Sequence, residues 1–167
     1  LGRLVPDRSW TALPVVGVSE QGSVAVGPVF ACAIVGPQKT VKCWGSSDIG
    51  ELGPKQSKQS DLVDVPGLDD AQELALGSNK NGCTQCGGVG FVCARRGDGT
   101  VWCAGANNAG QLGDGGTTPR AFAQAVPGVS GALQISSYGT SASVCVRSQG
   151  DKVQCWGDGV TSPVTIG

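Results

Sequence analysis

FACAIVGPQKTVKCWG (residues 30–45), FVCARRGDGTVWCAG (91–105) and SVCVRSQGDKVQCWG (143–157) are three versions of one pattern. Each begins with an apolar run, passes through a polar turn that contains glycine, and returns along a second apolar run. A cysteine sits in each arm: Cys32 and Cys43, Cys93 and Cys103, Cys145 and Cys155. Val41, Val101 and Val153 stand two residues before the second cysteine, and Trp-Gly or Ala-Gly follows it. Two short apolar arms around such a turn spell a β-hairpin. A hairpin that returns about every fifty residues marks a repeat protein, whose units bury their apolar faces only by stacking.

Other landmarks keep the same period. Pro14, Pro66 and Pro127 open the units, 18, 27 and 18 residues ahead of the first cysteine. Between proline and cysteine lies a further apolar run: Val24-Ala25-Val26, Leu74-Ala75-Leu76 and Leu133-Gln134-Ile135. After the second cysteine comes a loop, SSDIGELG (46–53) or ANNAGQLG (106–113). An extended piece then leads to the next proline, Leu62–Val65 or Ala121–Val126. Four strands per unit is the make-up of a propeller blade.

The expected fold is therefore all-β, a single propeller segment over 1–167. Its three four-stranded repeats fall at about 14–65, 66–126 and 127–167, and 1–13 reads as the remnant of a preceding blade. The three apolar runs above belong to the innermost strands, and Trp44 and Trp156 should pack between adjacent blades. The third unit drops the long loop and passes from Gly157-Asp158-Gly159 to Pro163-Val164-Thr165-Ile166. A ring typically takes at least about four blades, so three make a partial one. Further blades, from the same longer chain or a neighbouring molecule, are the expected partners of its ends.

Composition narrows the function. Glycine is frequent (28 residues), aromatics supply only 5%, and the net charge is −1. Near-neutral charge gives no electrostatic case for nucleic acid or an anionic membrane. No apolar run approaches the roughly 20 residues of a membrane helix, so no membrane insertion is expected. Arg95-Arg96 precede a Gly-Asp-Gly turn and read as a solvated turn tip, and Asp69-Asp70 read as solvent-facing. The chain has no histidine. That removes Ser-His-Asp and Cys-His nucleophile systems and His-containing zinc sites. No catalytic residue, cofactor or metal is expected. The chain also lacks methionine and opens LGRLVPDRSW, which is not a signal peptide, so it reads as a mature product or part of something longer.

The repeated cysteines suit disulfides. Residues ten or eleven apart around a turn can face each other across a hairpin, and so short a closed loop stabilises by about 2–3 kcal/mol. Paired cysteines place the protein in an oxidising compartment: extracellular, secreted or at the cell surface. Cys83 and Cys86 fall outside the pattern, in GSNKNGCTQCGGVG (77–90). They could form a loop-stiffening disulfide, join Cys93 and Cys103 around zinc, or act in thiol redox chemistry. The Cys93/Cys103 pair has counterparts in repeats that lack Cys83 and Cys86, which disfavours zinc. The surrounding glycines read as a loop, not the helix start of a redox motif. A Cys83–Cys86 disulfide is the assignment.

That same stretch holds the nine residues by which the middle repeat exceeds the others. An insertion in one repeat is normally a loop on one face, and variable loops carry recognition. Asn79, Lys80, Asn81, Thr84 and Gln85 are the binding candidates; the alternative is that the insertion fills a local gap. Gly113-Asp114-Gly115-Gly116 lacks the following helix that a phosphate loop needs. Asp98-Gly99 and Asp158-Gly159 are turn chemistry.

VKCWGSSDIGELG (41–53) and VWCAGANNAGQLGDGG (101–116) resemble the repeat of the RCC1 (regulator of chromosome condensation) propeller family, especially its cysteine-bearing secreted bacterial branch. The resemblance covers all three repeats and implies a seven-bladed propeller, or a relative of it, used as a recognition platform. It departs in three ways. Phe or Val stands near the place of a histidine common in that branch, Ala104 replaces Trp, and the third repeat lacks Gly-Gln-Leu-Gly. The founding member's nucleotide-exchange role is nuclear and does not fit disulfide-type cysteines. The family supplies no catalytic residues. The expectation is a secreted or cell-surface binding module, non-enzymatic, whose loops contact a protein or surface ligand. Alternatives are a structural subunit of an extracellular assembly, its ring completed by other blades, and a thiol-redox protein working through Cys83/Cys86.

Overall fold

Both faces of the hairpin strands are apolar, as in FACAIV at 30–35, so each hairpin must be covered from two sides. The computed structural model satisfies this by stacking. It describes residues 15, 17–18, 22–28, 30–45, 62–79 and 89–166. The 1–13 remnant, the 46–53 loop, Cys83, Cys86, Lys80, Asn81, Thr84 and Gln85 lie outside the described residues.

Twelve strands form three four-stranded antiparallel sheets, each a meander in chain order. The first blade is β1 (Val24–Val26), β2 (Phe30–Val35), β3 (Thr40–Gly45) and β4 (Val63–Asp64). The second is β5 (Ala71–Asn79), β6 (Val89–Arg96), β7 (Val101–Gly105) and β8 (Arg120–Ala125). The third is β9 (Ala132–Ser137), β10 (Val144–Ser148), β11 (Val153–Gly157) and β12 (Val160–Ile166). One 3-10 turn, Gln149–Asp151, is the only helical element among the described residues. The first strands touch one another from blade to blade, β1 with β5 and β5 with β9, and so line the inner side. The three blades form an open array, not a closed ring.

Alternation along each strand assigns its residues to two interfaces. Phe30, Cys32, Ile34, Val41 and Cys43 of the first blade pack against Leu74, Leu76, Val92, Ala94 and Ala104 of the second. Phe91, Cys93, Val101 and Cys103, on the other face of the second blade, pack against Ile135, Val144, Val146 and Trp156 of the third. Cys32 lies opposite Cys43, Cys93 opposite Cys103 and Cys145 opposite Cys155, and each pair is a disulfide with Cα atoms 4.0 to 4.1 Å apart.

Proline opens the crossings between blades. Pro66-Gly67 and Pro127-Gly128 make tight turns, closed by Leu68 N–H on Val65 O and Val129 N–H on Val126 O. Gly67 and Gly128 take φ of 85° and 77°, which the third position of a type II turn requires. Leu68 and Val129 are thereby buried.

Two expectations need correction. Trp156 does pack between the second and third blades, but Trp44 turns to the opposite face of the first blade. There it lies with Ala31, Ala33 and Val35, covered by Val15, Val18 and Leu62. The two tryptophans hold the same place in the hairpin, which always faces the preceding blade. Arg95 and Arg96 are not a solvated tip. Arg95 reaches Glu73 on the neighbouring strand at 3.4 Å, while Arg96 pairs with Asp69 at 2.8 Å and stacks over the Trp102 ring at 4.9 Å. Those partners lie across strands, out of reach of a local reading.

Candidate interaction face at the loop end of the blades

In a four-stranded meander the first and third connections emerge at the same end. Among the described residues these are 27–28 and 138–143 from the first set, with 106–119 and 158–159 from the second; the facing ends of β5 and β6, at Asn79 and Val89, lie at this end too. Hydrogen bonds tie the two sets together. Ala106 N–H donates to Gly90 O at 2.9 Å, and the Ser141 and Ser143 hydroxyls donate to Asp158 Oδ2 at 2.7 and 2.6 Å.

The long 106–119 loop is a clasp between blades. Asn107 is buried, accepts from Leu112 N–H at 2.9 Å, and donates to Asp114 Oδ1 and Gly116 O at 3.0 and 3.2 Å. Asp114 is ion-paired to Arg120. Buried Gln111 accepts from Ala109 N–H, and its backbone carbonyl accepts from Trp156 Nε1 at 3.0 Å. Gly115 N–H reaches Thr161 O, and Gly159 N–H reaches Ala109 O, both on the third blade's side. With its carboxylate neutralised and its amides engaged, this loop is built to hold blades together. Sequence reading missed Asn107 and Gln111; the signal was the run NNAGQLGDGG itself.

The strand ends that flank residues 80–88 are held differently. They are the ends of β5 and β6, and a glycine sits near each. A Cβ on Gly90 would collide with the Phe30 ring of the first blade, and one on Gly77 with the Phe91 ring and Ser141 O of the third-blade loop. Ser78 N–H also donates to Gly139 O at 3.0 Å. The first and third blades thus grip the stem of the inserted connection from two sides. Of the five binding candidates, Asn79 ends β5, and the other four lie on the connection, outside the described residues. The grip brings the stem beside Tyr138, which is 75% exposed at the same end. Nothing in the local sequence singled Tyr138 out.

Hydrogen bonds from Ser143, then Ser141, hold the Asp158 carboxyl below its ordinary value, so it stays ionised. Asp98 at the opposite end is lowered likewise by the Thr100 hydroxyl and N–H. Among the described residues no three of His, Cys, Asp or Glu come together as a metal site.

No family model matches the chain, and no curated protein matches it in sequence. Solved structures match it in fold. Human WBSCR16 superposes with a TM-score of 0.76 at 16% identity, over 99% of this chain and 44% of that one. Yeast RCC1 (Prp20), in its crystal structure with Kap60, superposes with a TM-score of 0.66 at 13% identity, over 87% of this chain and 36% of its own. A separate structure of Prp20p from Saccharomyces cerevisiae, described with its binding to Gsp1p and histones, gives 0.64 at 13% identity over 87% and 38%. The chain thus has the RCC1-like propeller fold and spans less than half the length of these relatives.

Proposed function

We propose that this chain is a non-enzymatic recognition module that binds a protein through the loop end of its blades. The carrying observation is that the inserted connection leaves the second blade beside exposed Tyr138, on a stem gripped by both neighbouring blades. An aromatic beside adaptable polar side chains is the composition of a recognition surface. Asn79, Lys80, Asn81, Thr84 and Gln85 supply the polar contacts, and a Cys83–Cys86 bridge lowers the entropy lost when the connection is ordered on a partner. Structural relatives described with Kap60, Gsp1p and histones support protein as the ligand class. The hairpin disulfides favour an extracellular setting, secreted or at the cell surface, and the cysteine-bearing secreted branch of the propeller family as its kin.

The test is a binding screen against an array of extracellular proteins. It compares the native chain with Tyr138→Ala, a variant lacking residues 80–87, and Phe122→Ala on exposed β8. Binding that is lost in the first two and kept in the third supports the reading. Binding that survives both loop-end changes overturns it.

A further inference from the structure

The stretch SSYGTSAS (136–143) carries the chain from β9 to β10, and apart from Tyr138 its side chains are small. Only Ala142 among residues 138–143 is buried, so apolar packing gives this connection little hold. Hydrogen bonds at both of its ends hold it instead.

On the side of the second blade, the Ser137 hydroxyl donates to Leu76 O at 2.7 Å, and Gly139 O accepts the Ser78 N–H at 3.0 Å. Ser141 O lies where a Cβ on Gly77 would meet it. On the other side, the Ser141 and Ser143 hydroxyls converge on Asp158 Oδ2 at 2.7 and 2.6 Å. Gly157 beside it leaves room for Ala142 O, which a Cβ there would strike. The middle is a tight turn, closed by Ser141 N–H on Tyr138 O at 2.8 Å. A Cβ on its Gly139 would touch the Pro28 ring of the first blade. The connection thus starts from the third blade, crosses the second and reaches the first. The residue it pins, Ser78, is sealed from solvent and stands just before Asn79, where β5 ends.

We propose that residues 138–143 are a strap that positions the recognition face, with Asp158 as its anchor. The carboxylate holds Ser141 and Ser143, the turn that Ser141 closes presents Tyr138, and Gly139 O fixes the end of β5 through Ser78. Asp158 is then a positioning residue that acts through Tyr138 and Ser78. The proposal rests on the recognition reading for what the strap presents, while the strap itself is tested without a partner.

Asp158→Ala removes the acceptor, and Asp158→Asn keeps an oxygen for both hydroxyls. Hydrogen exchange followed by NMR compares two amides of the second and third blades. Ser78 N–H donates to the strap, and Ala132 N–H donates to Gly99 O at the opposite end of the same junction. Asp158→Ala should speed exchange at Ser78 about tenfold or more and leave Ala132 unchanged, and Asp158→Asn should restore the native rate. Tyr138 is the one tyrosine in the chain, so its ring signals report the order of the strap directly. They should narrow in the Ala variant alone. In the extracellular array, Asp158→Ala should lose binding as Tyr138→Ala does.

A merely structural contact would move Ser78 and Ala132 together, and that result overturns the proposal. So does a Ser78 rate indifferent to both substitutions, an Asn variant that behaves as Ala, or binding kept by Asp158→Ala and lost by Tyr138→Ala. If the strap responds as described and Tyr138→Ala still binds as the native chain does, the recognition reading is what has failed, and the positioning role falls with it.

Discussion

The Glu73 carboxylate, on the inner strand of the second blade, accepts a hydrogen bond from the backbone N–H of Ile135 in the third, at 2.9 Å. The N–H belongs to an edge strand, so no neighbour in its own sheet satisfies it. The side chain stands where an additional strand would otherwise be needed.

Replacing Glu73 with alanine should therefore loosen the junction of the second and third blades. A charge-assisted bond of this kind, on a half-exposed side chain, contributes about 1–2 kcal/mol. Glu73→Gln keeps an acceptor in place and should recover most of that loss. Urea unfolding of the two variants measures the difference; equal stabilities would show that the bond contributes nothing.

Trp156 fills the same junction with a buried ring and donates Nε1–H to Gln111 O at 3.0 Å. Truncation to alanine should cost about 3–5 kcal/mol through the cavity left behind. Phe keeps most of the volume and leaves the Gln111 carbonyl short of its donor, for a cost of about 1–3 kcal/mol. Thermal melts should rank native, Phe and Ala in that order.

Asp158 gives the protein a pH dependence with a definite sign. The hydroxyls of Ser143 and Ser141 favour its ionised form, so its folded value lies below the ordinary 3.8. Its stabilising contribution is in full force above that ordinary value and is lost as pH falls through the lowered one. Asp158→Asn keeps an oxygen for both hydroxyls and suits the positive φ of 49° at this position. Its unfolding curve should be flatter than the native one below about pH 3.8, and the two should run parallel above it.

The hairpins and their stacking were legible because they follow from local pattern. Cysteines at matching places in two apolar arms fix the register, and double-faced runs such as FACAIV demand cover on both sides. What a given face meets is decided elsewhere in the chain. Trp44 and Trp156 sit in the same Cys-Trp-Gly context, yet one meets a blade and the other meets Val15, Val18 and Leu62. Arg95 and Arg96 look solvated beside their turn because Glu73, Asp69 and Trp102 reach them only across strands. The inserted connection was legible as a length anomaly. Tyr138 was not, since a lone aromatic among Ser, Gly and Thr carries no periodicity.

The glycine feet at positions 77 and 90 have an engineering consequence. Rings and backbone pressed against them fix the two points from which the chain leaves and re-enters the second blade. Libraries randomised between 80 and 88 would all be displayed from those same anchor points, as antibody hypervariable segments are from their framework. The second blade is thus the natural graft position on this scaffold, and either glycine is the residue that a graft must leave alone.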